Sequence, residues 1–91
     1  MEKKAIFAGS FDPFTAGHEN IVRRALALFD EIVVGVGYNI KKKGLLTMEN
    51  RVRLIRDVFL DEPRVRVETY DGLTADFCHR QGIRILLRGL R

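Results

Sequence analysis

The chain has 91 residues, 46% of them apolar, with a formal net charge of +4 and one cysteine, Cys78. That length predicts one small domain over residues 1–91, and a lone cysteine excludes an internal disulfide, as in a cytoplasmic protein. No apolar run approaches the roughly 20 residues of a membrane-spanning helix, and Met1-Glu2-Lys3-Lys4 leads into a strand-like run rather than reading as a signal peptide.

In chain order, Ala5 to Ala8 form an apolar strand that runs into GSFDPFTAGH, Gly9 to His18. Pro13 marks a turn there, and Thr15 is a candidate N-cap for a helix whose first turn holds Gly17 and His18. Over 16–29, Ile21, Val22, Ala25, Leu26, Leu28 and Phe29 recur at helical spacing, with Glu19, Arg23 and Arg24 expected to face water. Ile32-Val33-Val34-Gly35-Val36 predicts a second strand, buried on both faces by its continuous apolarity. A loop from Tyr38 to Leu46 carries Lys41, Lys42 and Lys43.

Thr47 is the expected cap of a second helix with a stripe of Met48, Val52, Ile55 and Phe59, stopped by Asp61-Glu62-Pro63. Arg64 to Glu68 alternates charged and apolar residues, which predicts a half-exposed edge strand. A third helix is expected from Gly72 to Gln81, burying Leu73 and Phe77 and ended by Gly82. Ile83 to Leu87 make strand four, followed by Arg88-Gly89-Leu90-Arg91. Alternating strands and helices predict an α/β, Rossmann-like doubly wound parallel sheet, and the edge character of strand three favours the order 3-2-1-4. In that order the winding reverses beside strand one, so GSFDPFTAGH and RGLR meet at the carboxyl edge where such sheets bind ligands.

Free amides at a helix N-terminus favour an anion, and an imidazole placed there can donate to the same anion. Two arginines three apart, Arg88 and Arg91, suit phosphate oxygens. The lysine loop would, alone, be a solvated surface. Spread Lys and Arg suit a phosphate-bearing partner without marking a nucleic-acid surface, and Phe7, Phe29, Phe59 and Phe77 are all expected on core faces rather than as stacking platforms. Asp12 reads as an Asx-turn residue beside Pro13. Cys78 reads as a core thiol, Gly35 to Ile40 lacks the third glycine of a dinucleotide fingerprint, and two histidines without a cysteine or carboxylate cluster predict no protein-held metal.

These residues together resemble the T/HxGH nucleotidylyltransferases, most closely the bacterial phosphopantetheine adenylyltransferase family. Gly9 to His18, the lysine loop with Thr47 to Arg51, and Arg88 to Arg91 carry the likeness, with Thr15 and RGLR selecting this branch. The resemblance implies adenylyl transfer from ATP to 4′-phosphopantetheine, giving dephospho-coenzyme A and pyrophosphate. It also implies that His18 donates to the reacting phosphate in the transition state. Ser10, Lys42, Thr74 and Arg88 would hold the acceptor; Ser10, Phe11, His18, Gly89, Leu90 and Arg91 would line the nucleotide site. Magnesium carried on ATP and a homo-oligomer, hexameric in the family, are implied as well. Thr74 departs from the apolar residue of many members. Members also continue past RGLR, so the chain is expected to correspond to their N-terminal part. The rival expectations are a different phosphorylated acceptor, or a non-catalytic basic module that binds polyanions.

Overall fold

Short apolar strands alternating with amphipathic helices can bury both helix stripes only by packing them on the two faces of a parallel sheet. The computed structural model describes residues 3–38 and 47–87 and has this form. Its elements are β1 (Lys4–Gly9), α1 (Ala16–Ala25), β2 (Glu31–Tyr38), α2 (Met48–Val58), β3 (Val65–Asp71), α3 (Thr74–Gln81) and β4 (Ile85–Leu87). The four strands are parallel in the order β3-β2-β1-β4. Gly9 lies opposite Val36, Tyr38 opposite Asp71 and Phe7 opposite Leu87, so the carboxyl ends share one edge.

Alternation along each strand divides the core. Phe7, Ile32, Val34, Val36 and Val67 pack with Val22 of α1 and with Ile55 and Phe59 of α2 and its cap. Ile6 and Val33 face the other way, onto Phe77 of α3 and Ile83. Ile32, Val33, Val34 and Val36 are all fully buried, as a continuous apolar run predicts. On that second face the amino ends of the strands carry charge instead. Lys4 Nζ lies 3.7 Å from Glu31, and Arg66 lies 3.0 Å from Glu31 and 3.1 Å from Glu68.

Several sequence expectations are corrected by the fold. α1 ends at Ala25 rather than Phe29, and Leu28 is 73% exposed. The buried stripe is 22, 25, 26 and 29, so Leu28 lies off it, and the chain leaves the helix at the Leu26 cap to carry Phe29 beneath the sheet. Leu73 is 69% exposed because it is the extended N-cap residue of α3, outside the helix whose periodicity would have buried it. Arg23 does not simply face water: it bonds Glu19 at 2.8 Å, donates to the Val58 carbonyl at 3.1 Å and lies over the Phe59 ring, tying α1 to α2. The third strand extends beyond its expected end to Asp71, and at the other edge Ile85 and Leu86 stay about 40% exposed. Gly82 adopts the left-handed cap, with φ of 69°.

Thr47 caps α2 as expected, accepting from the Asn50 amide at 3.2 Å. Thr47→Ala is expected to cost about 1 kcal/mol, read as a lower urea midpoint at unchanged slope. No helix among the described residues is long and apolar enough to cross a membrane.

Candidate active site

β1 delivers the chain to the carboxyl edge at Gly9, and the next residues turn back sharply. Phe11 has φ of 48°, a left-handed conformation that costs a bulky residue energy, and the residue is 4% exposed. The ring occupies the space a side chain at Gly9 would need, since a Cβ there would lie 3.1 Å from Phe11 Cζ. It also meets Phe7, Phe14 and His18 at centroid distances of 5.1, 5.2 and 5.1 Å. The apolar ring is thus the floor of the loop. Ser10 is exposed above it. The Asp12–Pro13 bond is cis.

Thr15 begins α1 with an extended backbone, and its Oγ1 accepts from the His18 amide at 3.4 Å. The reciprocal bond comes from the imidazole, whose Nδ1 accepts the Thr15 N–H at 2.9 Å. A capping box of this kind is usually closed by Glu or Gln. With Nδ1 accepting, the neutral ring carries its proton on Nε2, on the far side from Thr15. Partial burial lowers the His18 pKa below 6.5 and so favours that neutral ring. A neutral donor held at a helix N-terminus can stabilise charge gathering on a phosphate without needing to release a proton.

Two contacts were not legible in the sequence. The Arg51 guanidinium, from the first turns of α2, donates to the Ser10 carbonyl at 3.4 Å and pairs with Asp12 at 3.4 Å, both side chains less than 15% exposed. Asp12, expected in an Asx turn, is also an ion-pair partner across 39 residues. The TMENR stretch carried a capping signal and nothing that pointed back to the loop. On the opposite face, Tyr70 stacks on Phe77 at 4.4 Å and its hydroxyl lies 2.9 Å from Thr74 Oγ1. Thr74 opens α3 at the same carboxyl edge.

The structure thus brings Ser10, Phe11 and His18 together on one loop, with Thr74 across the sheet. Lys42, Arg88, Gly89, Leu90 and Arg91 lie outside the described residues. Among the described residues no group of three or more His, Cys, Asp or Glu could hold a metal ion.

Among curated proteins, the chain is 53% identical over 89 residues to a phosphopantetheine adenylyltransferase of Flavobacterium johnsoniae, covering 98% of this chain and 59% of that protein. It is 44% identical over 91 residues to a protein of the same name from Syntrophus aciditrophicus, covering 55% of it. The chain therefore spans between half and two thirds of the length of these curated relatives. Two solved structures share the fold. One is the NadR protein in complex with NAD and AMP-PNP (TM-score 0.73, 22% identity, 90% of this chain and 26% of that one). The other is a bifunctional NMN adenylyltransferase/ADP ribose pyrophosphatase from Francisella tularensis (0.68, 19%, 89% and 25%). The model of the cytidylyltransferase-like family matches residues 6–91, a span that takes in the His18 loop, all three helices and β2 to β4. The chain belongs to the cytidylyltransferase-like family.

Proposed function

We propose that the protein transfers AMP from ATP to 4′-phosphopantetheine, forming dephospho-coenzyme A. An acceptor phosphate oxygen attacks the α-phosphorus of ATP, the bond to the bridging oxygen breaks, and pyrophosphate leaves with its electrons. The nucleophile is already an anion, so the protein needs no strong base; it has to align two anions and stabilise charge on the α-phosphate. The observation that carries the reading is the His18 ring, fixed through Nδ1 so that Nε2–H is the donor. The names of the relatives support the choice of acceptor.

In this reading Ser10, Lys42, Thr74 and Arg88 hold the acceptor. Ser10, the Phe11 backbone, His18, Gly89, Leu90 and Arg91 hold the nucleotide. Magnesium arrives as part of the ATP substrate and spreads its phosphate charge. A cytoplasmic homo-oligomer, hexameric by family likeness, is the proposed assembly. The test is to supply ATP with a panel of acceptors and follow pyrophosphate. Release with 4′-phosphopantetheine, absent with dephosphorylated pantetheine, is the expected result. Release with nicotinamide mononucleotide instead would assign a different acceptor, and none with any acceptor would overturn the reading.

A further inference from the structure

The Phe11 ring is sealed into the core, which leaves open how its position in the loop serves a ligand and what keeps a bulky residue at φ of 48°. The grip of Arg51 answers both. Its two terminal nitrogens reach the Ser10 carbonyl and the Asp12 carboxylate, one on each side of Phe11, each at 3.4 Å. Ser10–Phe11 is not among the cis bonds of the chain, so it is trans, and a planar trans peptide points its N–H opposite to its C=O. Fixing the Ser10 carbonyl toward α2 therefore fixes the Phe11 N–H away from α2. A left-handed residue also turns neighbouring amides into a concavity of the kind that cradles anions. Little of the pair is open to water, with Arg51 and Asp12 side chains 11% and 14% exposed, so solvent screens it weakly.

We propose that Arg51 is a positioning residue: by clamping Ser10 and Asp12 it sets the Ser10–Phe11 peptide plane and presents the Phe11 N–H to the nucleotide phosphates. The inference rests on the proposed nucleotide-binding reading of this loop, and it assigns to α2 a role in the β1 loop. A planar fork is required, because a lysine can pair with Asp12 but cannot hold both acceptors in one plane.

The test uses ¹⁵N-labelled protein with the parent sequence, R51K and R51Q, titrated with ATP while the Phe11 amide and the His18 resonances are followed. In the parent both move. In both variants half-saturation at the Phe11 amide is expected to rise about tenfold. R51K keeps its thermal midpoint within about 3 °C because its ammonium still faces Asp12. That separation of binding from folding is what a purely structural arginine would not produce, and R51K carries the test should R51Q fail to fold. Variants that saturate like the parent would overturn the proposal. So would a parent in which His18 moves and the Phe11 amide does not, a result that leaves the nucleotide site standing. No ATP response anywhere in the parent would overturn the nucleotide-site reading and this proposal with it.

Discussion

Replacing His18 by alanine is expected to lower kcat for the proposed adenylyl transfer by about 10² to 10³ while leaving ATP affinity nearly unchanged. The ring is held at the start of α1 by a bond through Nδ1, so its second nitrogen is presented as a donor of fixed direction. A donor so placed interacts most strongly when charge accumulates on the phosphate, and little with the ground state. Equal losses in affinity with kcat preserved would show that the ring only binds. The same geometry predicts an acid limit. Burial lowers the folded pKa of His18, so as pH falls below 6.5 the unfolded chain takes up a proton that the folded ring resists. The contribution to stability is full above 6.5 and is lost as pH falls toward the folded value. Protonation would also turn the Nδ1 acceptor into a donor facing the Thr15 N–H. Comparing urea midpoints at two pH values either side of 6.5 should therefore show a larger acid loss for the parent than for His18→Ala.

Phe77→Ala is expected to remove about 3 to 5 kcal/mol, a large fraction of what a domain of this size possesses. Phe77 is 3% exposed and is the largest residue of the buried cluster between α3 and the sheet. Its ring rests directly on Gly35, where an added Cβ would lie 2.6 Å from Cε2. Gly35→Ala should thus cost about 1 to 3 kcal/mol by overpacking. Pairing Gly35→Ala with Phe77→Leu should cost less than the sum, since a shorter side chain makes room for the methyl. Denaturant unfolding of the four proteins decides the matter; strict additivity would mean that the ring is not what excludes a side chain at 35.

The sheet order was readable because β2 and β3 differ so sharply in pattern, Ile32 to Val36 being continuous and Arg64 to Glu68 alternating. Thr15, Thr47 and Gly82 were equally readable, since a cap is a local event between residues close in sequence. Leu28 and Leu73 misled for a related reason: helical spacing was carried beyond the helix ends, to Leu28 three residues after Ala25 and off the buried stripe, and to Leu73 one residue before Thr74. The Arg51 clamp was hidden because a charged residue on a helix surface carries no mark of the partner it meets 39 residues earlier. Phe11 was read as part of the loop motif, and the structure makes its ring the floor of that loop; an aromatic residue in a motif does not say whether its ring is exposed or buried.

The row of charge from Lys4 through Glu31 and Arg66 to Glu68 has a further meaning for how the chain finds its pairing. β2 and β3 must meet across a long excursion of chain, and nothing in a tight turn sets their alignment as a hairpin would. If β3 slid by one residue against β2, Arg66 and Glu68 would exchange faces with Val65 and Val67 and enter the layer packed by Ile55 and Phe59. Such a slip would bury two charges and take Arg66 away from Glu31, a cost of several kcal/mol for a misalignment that gains nothing. The alternation that makes β3 an edge strand thus also serves as its alignment key, rejecting the wrong pairing during folding.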